Sequence, residues 1–252
     1  MSEINKVKQL LMKQFEMTNL GQLSYFLGIE FKETEAAATP AETGLMMSLN
    51  DEGELADATL YRQIVGSLMY LCNTRLDIAY SVGIISRFMK APKISHMMAA
   101  KRILRYVKGT TDYGVLLPFG QNESNQNLLG YTDSDWRKDK DDRKSTAAYV
   151  FMYGGALISW SSKKEDPVAL STCEAEYIAA SLGACQGLWL RKMLKEMKIQ
   201  KKEPIFLLID NKSAISLAKN PIDHGNNKHI DTRYHFIRDK VEKGKIKLIY
   251  CK

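Results

Sequence analysis

Cysteine is scarce in this chain, and its four residues form no recognisable pattern. Cys72, Cys173, Cys185 and Cys251 include no CxxC pair and no Cys/His spacing typical of zinc ligands. We therefore expect reduced intracellular thiols and no disulfide framework. No apolar run is long enough to cross a bilayer, and the chain begins with a polar, charged segment instead of a signal peptide. These absences favour an intracellular protein, cytoplasmic or nuclear, with no membrane partner.

Three widespread catalytic motifs are missing as well. The chain contains no G-x-S-x-G, no G-x-x-x-x-G-K and no G-x-G-x-x-G. A nucleophile-elbow serine site, a P-loop and a dinucleotide-binding turn therefore have no support.

Charge is unevenly distributed along the 252 residues. Residues 1–125 contain 13 basic and 13 acidic side chains, whereas residues 126–252 contain 23 and 16, so the second half carries the whole net charge of +7. A basic half suits a polyanionic partner such as nucleic acid. A solvated basic surface explains the charge equally well and would be preferred if charge were the only observation.

Hydrophobic periodicity predicts an α/β protein with a mixed sheet, preceded by a mainly helical region. In the first half, we predict a helix over residues 7–15, a strand over 23–31, an irregular linker of low order over 32–57, three helices between residues 60 and 108 closed by Gly109, and a short strand over 113–117. In the second half, we predict strands over 127–132, 147–153 and 156–162, a helix over 172–197, a strand over 205–209, helices over 212–219 and 232–242, and a strand over 247–251.

Three acids, Asp133, Glu176 and Asp210, each lie beside an apolar run. Carboxylates from separate elements repel one another, so their usual reason for converging is a hard divalent cation, above all Mg²⁺. Two such ions about 3.5–4 Å apart can activate a water and stabilise a leaving oxygen. The pattern therefore predicts metal-assisted phosphodiester hydrolysis, which needs no nucleophilic serine or cysteine.

Each acid also has a structural explanation. Asp133 can end a strand in a polar turn, Glu176 can stabilise the first turn of a helix, and Asp210 can cap one. From the residues alone, Asp135 and Glu174 also stay open as rivals of Asp133 and Glu176.

Several other polar residues admit a structural role at least as well as a functional one. Asp231 is predicted to cap a helix, His229 to lie in a loop near the site, and His96 to lie near a helix cap or on the surface. A basic series can follow a phosphate backbone or form a solvated helix end. Its members are Arg191, Lys192, Lys195 and Lys198.

Much of the chain resembles the C-terminal part of copia-type retrotransposon polyproteins, where the reverse transcriptase continues into a ribonuclease H domain. The resemblance is carried by residues 17–30, 61–71, 74–77, 99–109, 142–146, 158–164, 169–177 and 228–238. Aligning Ala175-Glu-Tyr177 with the family motif selects Glu176 over Glu174.

The resemblance implies a domain order and an activity. Residues 1–31 correspond to the end of the reverse transcriptase, 32–57 to a linker, 58–125 to a helical connection and 126–252 to a ribonuclease H-like domain. The activity implied is hydrolysis of the RNA strand of RNA–DNA hybrids at Asp133, Glu176 and Asp210, with two Mg²⁺ or alternatively Mn²⁺. The ancestral setting would be a polyprotein with reverse transcriptase and integrase, although polymerisation by this chain is not expected.

The family's fourth acid lies in an Ala-Asp motif that would follow Lys252. We therefore expect weak hydrolysis from residues 1–252. The alternatives are a catalytically inactive remnant that still binds nucleic acid and a polyprotein fragment without function.

Overall fold

The computed structural model describes residues 9, 12–13, 25–26, 29–30, 35–44, 46–118, 127–199, 204–219 and 228–251. The chain forms two compact units, Met1–Glu35 and Ala36–Lys252. In the first, β1 (Tyr25–Phe26) and β2 (Ile29–Glu30) pair antiparallel, where one continuous strand was predicted. The helix predicted over residues 7–15 falls mostly outside the described residues.

Three helices form the first part of the second unit, as predicted. They are α1 (Ala58–Leu71), α2 (Ala79–Ile85) and α3 (Ile94–Gly109). Asp57 begins α1 by accepting hydrogen bonds from the backbone N–H groups of Thr59 and Leu60 at 2.8 and 3.1 Å. The strand predicted over residues 113–117 is wrong, because that segment pairs with no other strand within the described residues.

The segment before α1 is more ordered than its composition suggested. Arg102 on α3 donates to the Thr39 carbonyl at 3.2 Å and to Glu42 at 3.0 Å. His96 is fully buried, and its Nδ1 accepts from the Lys93 N–H at 3.0 Å at the start of α3. Its Nε2 lies 3.1 Å from the Ser48 carbonyl oxygen. These contacts attach residues 39–48 to α3 through specific side chains.

The remainder of the second unit is built on a five-stranded mixed sheet. The elements in chain order are β3 (Leu128–Asp135), β4 (Thr146–Tyr153), β5 (Ala156–Lys164), α4 (Thr172–Glu196), β6 (Ile205–Ile209), α5 (Lys212–Lys219), α6 (Lys228–Glu242) and β7 (Ile246–Tyr250). The strand order is β5-β4-β3-β6-β7. Strands β3 to β5 form an antiparallel meander, whereas β6 runs parallel to β3 and β7 parallel to β6. The predicted mixed sheet is confirmed.

Helix α4 packs closely on the centre of the sheet. Leu128, Phe151 and Leu207 of the sheet and Ile178 of α4 are almost completely buried in the core between them. The approach is close because glycines face the contact. A Cβ at Gly187 would lie 3.0 Å from the Phe151 ring, and one at Gly183 would lie 2.5 Å from the Thr132 methyl. A larger side chain at either position would push α4 away from the sheet.

Helix α2 and its flanking turn attach to the meander through polar contacts. Arg87 donates to Asp139 at 2.8 Å and to the Thr146 hydroxyl at 2.9 Å. The Trp160 indole N–H donates to the Cys72 carbonyl at 2.9 Å. The helical region therefore contacts both the β3–β4 connection and β5.

None of the described helices is both long and apolar enough to cross a membrane.

The packing of side chains on the sheet predicts that Gly130→Ala, in β3, destabilises the fold. The new Cβ would overlap the Phe151 ring and lie 3.0 Å from Leu207 Cδ1. Overpacking of this kind costs about 1–3 kcal/mol, which urea unfolding would measure.

The matched control is Gly66→Ala in α1, where an added Cβ meets nothing within 4 Å. It should be neutral or stabilise the protein by roughly 0.5–1 kcal/mol, because alanine is the better helix former. Equal losses for the two variants would contradict this account of packing in the sheet core.

Candidate active site

The three predicted acids meet at one edge of the sheet. Asp133 lies near the end of β3, Asp210 directly follows β6, and Glu176 projects from α4. Because β3 and β6 are parallel neighbours, their carboxyl ends lie at the same edge. One carboxylate oxygen from each residue lies within 4.8 Å of the other two. The sequence therefore identified side chains that the fold brings together.

The structural alternatives for these acids do not fit their positions. Asp133 is inside β3, not in a turn. Helix α4 is capped by Ser171, which places Glu174 in the first turn and Glu176 beyond it. Asn211 performs the capping at α5, since its side chain accepts from the Ala214 N–H at 3.0 Å. None of the three carboxylates is used for the structural role first considered for it.

Glu176 is held in an unfavourable electrostatic environment. It is only 6% exposed. Burial, followed by the charge of Asp210 and then that of Asp133, raises the pKa of Glu176 to about 8, against the opposing effect of the Ser134 N–H. That N–H donates to Oε1 at 3.1 Å, whereas buried Oε2 has no hydrogen-bond partner among the described residues. An oxygen left without a donor beside two further carboxylates fits a bound cation.

The rivals Asp135 and Glu174 have structural partners instead. Asp135 accepts hydrogen bonds from the Tyr80 hydroxyl at 2.9 Å and from the Thr146 N–H. Glu174 accepts from the Leu170 N–H at 2.7 Å. Asp135 thus fastens α2 and β4 to the end of β3, and Glu174 stabilises the entry to α4.

Glu165 and Ser134 also lie beside the acidic cluster, although neither was among the predicted site residues. The Ser134 hydroxyl donates to Glu165 Oε1 at 3.0 Å, while its backbone N–H holds Glu176. Glu165 is 3% exposed, and burial raises its pKa to about 7. Glu165 follows Lys163 and Lys164 in the sequence. No local pattern distinguishes it.

Tyr80 was also missed, because its contact joins residues distant in sequence. Burial, followed by the charge of Asp135, raises the pKa of Tyr80 to about 12, and Asp133 contributes to the same shift. Helix α2 therefore lies at the margin of the acidic cluster.

The basic series on α4 lies away from the acids. Arg191 is fifteen residues beyond Glu176 on one helix, which corresponds to about 22 Å along the axis. Its guanidinium donates to the Lys245 carbonyl at 3.1 Å. Lys192, Lys195 and Lys198 are exposed at the same end. Nucleic-acid binding by this series remains a prediction.

The predicted cap at Asp231 is wrong. Helix α6 begins at Lys228, so Asp231 and His229 both lie within it, and His229 is not in a loop. The side chains of both residues are outside the described part of the structure.

Comparisons with known proteins identify relatives along nearly the whole chain. The retrovirus-related Pol polyprotein from transposon RE1 of Arabidopsis thaliana is 37% identical over 264 residues, covering 95% of this chain and 18% of that protein. The corresponding polyprotein from transposon TNT 1-94 of Nicotiana tabacum is 38% identical over 280 residues, covering 98% of this chain and 21% of that protein. No family model matches.

A solved structure gives a more distant likeness. Ribonuclease H1 from the halophilic archaeon Halobacterium salinarum NRC-1 is 11% identical and aligns with a TM-score of 0.33, covering 50% of this chain and 85% of that chain.

The five-stranded mixed sheet, with α4 packed across it, is the α/β architecture that the sequence predicted. The chain belongs to the family of copia-type retrotransposon Pol polyproteins, as the sequence resemblance indicated. It spans about a fifth of the length of these relatives, at 18% and 21% of the two polyproteins named above.

The environment of Glu176 predicts how stability depends on pH without divalent ions. The folded state holds a proton on Glu176 up to about pH 8, whereas the unfolded chain releases it near the ordinary glutamate pKa of about 4.3. Stability should therefore fall as pH rises between these values. Glu176→Gln removes the ionisation, so the variant should gain on the wild type by up to about 1.4 kcal/mol per pKa unit.

Chemical unfolding at pH 5 and pH 8.5 in chelator measures this effect. Glu196→Gln, at the exposed end of the same helix, is the control and should leave the pH dependence unchanged. A wild type and Glu176→Gln that differ by the same amount at both pH values would contradict the assigned environment.

Proposed function

We propose that the ribonuclease H-like domain hydrolyses the RNA strand of RNA–DNA hybrids, using two Mg²⁺ ions held by Asp133, Glu176 and Asp210. The observation that carries this proposal is the convergence of three carboxylate oxygens within 4.8 Å. The unpaired Glu176 Oε2 supports it, because a buried carboxylate oxygen requires a compensating positive charge. Mn²⁺ has the same preference for oxygen ligands and is the natural alternative.

The three acids are better able to bind cations than to contact a substrate directly. A phosphodiester is negative, so ionised carboxylates at this edge would repel it without intervening positive charge. Bound Mg²⁺ would supply a water of lowered pKa and neutralise charge at the leaving oxygen. The three carboxylates would share the coordination of the Mg²⁺ ions.

The exposure of the three carboxylates indicates how they would share this coordination. Asp133 and Asp210 are exposed and can reach ions that also contact substrate, whereas Glu176 is fixed from beneath by the Ser134 N–H. Ionisation of Glu176 is opposed by burial, so metal binding must displace its proton. Metal affinity should therefore weaken as pH falls below about 8.

Selection of a hybrid over other duplexes would depend on groove shape and 2′-hydroxyl contacts, not on base sequence. Such selection agrees with a polyprotein origin, since reverse transcription produces RNA–DNA hybrids. The partner we propose is therefore nucleic acid of any sequence.

A hybrid-cleavage assay with Mg²⁺ and with chelator tests the proposal. Wild-type chain should cut the RNA strand only with the metal. Asp133→Asn, Glu176→Gln and Asp210→Asn should each lower cleavage by at least about 100-fold, since even residues that only orient metal ligands cost 10–100-fold.

Asp166→Asn is the matched control, because it removes an exposed acid between β5 and α4 that is outside the cluster. It should retain activity. Cleavage that persists in chelator would exclude the proposed mechanism. A wild type that binds hybrids with metal present and does not cut them would favour the alternative of a catalytically inactive nucleic-acid-binding domain.

A further inference from the structure

The connection between β3 and β4 is rich in both charges. We call residues 136–145 the β3–β4 loop. It holds three acids and five basic residues, which are Asp139, Asp141, Asp142, Arg137, Lys138, Lys140, Arg143 and Lys144. From the sequence alone, this mixture of charges suggests a solvated loop in which neither sign of charge is separated from the other.

The acids of the loop are engaged in internal contacts. Asp139 is 9% exposed and accepts from Arg87 at 2.8 Å and from Lys164 at 2.7 Å. Asp141 accepts from the Leu49 N–H at 2.9 Å and from the Ser48 hydroxyl. Asp142 lies 2.8 Å from Lys164. The charges of Asp139 and Asp142 are thus compensated by cations of neighbouring elements, and Asp141 is held by hydrogen bonds.

The basic residues face solvent instead. Arg137, Lys138, Lys140 and Arg143 are exposed. Among the described residues, none of these four has a carboxylate within ion-pair distance. The acids of the loop therefore have partners on neighbouring elements, whereas its four exposed cations have no ion-pair partner among the described residues.

An aromatic side chain accompanies these cations. Trp136 is 40% exposed, and its indole N–H donates to the Ala169 carbonyl at 3.2 Å, which fixes the ring orientation. The Arg137 guanidinium carbon lies 5.7 Å from the ring centroid. An exposed, anchored tryptophan beside cations can contact a sugar or an unpaired base.

The loop backbone is held in place despite an unusual conformation. Arg137 and Arg143 have φ of +54° and +58°, in the left-handed region that non-glycine residues rarely adopt. The Arg137 N–H donates to the Ser145 hydroxyl at 3.1 Å, and the Arg143 N–H donates to the Asp139 carbonyl at 3.1 Å. The loop therefore presents its cations from a fixed backbone.

The loop leaves the sheet at the edge where the acids converge, and it begins three residues after Asp133. A polyanion whose phosphate reaches the acids through metal ions would have its neighbouring phosphates beside the loop. Successive phosphates of a strand match a row of separate cations better than a small anion does.

We propose that the β3–β4 loop is the surface that grips the phosphate backbone of an RNA–DNA hybrid beside the acidic site, through Lys138, Lys140 and Arg143, with Trp136 as an aromatic contact. The inference rests on the proposed function for the position of the substrate. It differs from the alternative considered from the sequence, in which the basic series at the end of α4 follows the phosphate backbone.

Two matched triple variants test whether the β3–β4 loop or the C-terminal end of α4 binds the phosphate backbone. The loop variant is Lys138→Gln, Lys140→Gln and Arg143→Gln, and the helix variant is Lys192→Gln, Lys195→Gln and Lys198→Gln. Each removes three exposed cations, and each includes one residue of positive φ, since Lys198 has φ of +58° and Arg143 has the same value. Both are made in the full chain carrying Asp133→Asn, so that binding is measured without cleavage.

Hybrid affinity is measured by fluorescence anisotropy over a series of salt concentrations. The loop variant should bind at least about tenfold more weakly and lose up to about 2.7 from the slope of log affinity against log salt, at about 0.9 per phosphate contact. The helix variant should keep the parental slope. Equal thermal transitions for all three proteins establish that the exposed substitutions leave the fold intact.

The inference is overturned if the loop variant keeps the parental slope, if the helix variant loses as much as the loop variant, or if polyglutamate competes as well as the hybrid. Because the assay requires no cleavage, it is separate from the test of catalysis. A chain that binds through the loop without cutting refutes only the proposed function, and a chain that cuts without needing the loop refutes only this inference.

Discussion

The close contact between α4 and β3 is the constraint on which the rest of the domain depends. Glu176 reaches Asp133 and Asp210 only because glycine at positions 183 and 187 lets α4 approach Thr132 and Phe151. A helix displaced by one methyl group would change the position of the buried carboxyl relative to two acids fixed on strands. The packing of the core therefore also fixes the geometry of the site, and the site is as rigid as the close-packed interior around it.

The elements of the sheet were predictable because each has a local signal. Strand β6 is an uninterrupted apolar run, α5 follows a capping asparagine, and the glycine pair between β4 and β5 marks a tight turn with φ of +57° and +77°. The segment over 113–117 has similar apolar character yet forms no strand. A strand requires a partner, and composition does not provide one.

The residues of the candidate site were likewise predictable only where they have a local signal in the sequence. Asp133, Glu176 and Asp210 each adjoin an element that the sequence defines, so their convergence followed from topology. Glu165 and Tyr80 touch the site through contacts with Ser134 and Asp135 that only the folded chain creates. The contacts of the loop acids were equally hidden, because Arg87 and Ser48, which bind Asp139 and Asp141, are distant in sequence.

Two opposite electrostatic arrangements lie side by side at this edge of the sheet. In the cluster, three carboxylates lie close together with few hydrogen-bond donors, and this arrangement favours a bound cation. In the adjoining loop, carboxylates are satisfied from within, which leaves cations without counterions. A metal ion or a phosphate alone relieves only one of these imbalances. A nucleic-acid strand that brought phosphates to the loop and to metal-loaded acids, as proposed above, would relieve both, so the proposed substrate and metal would bind cooperatively at this edge.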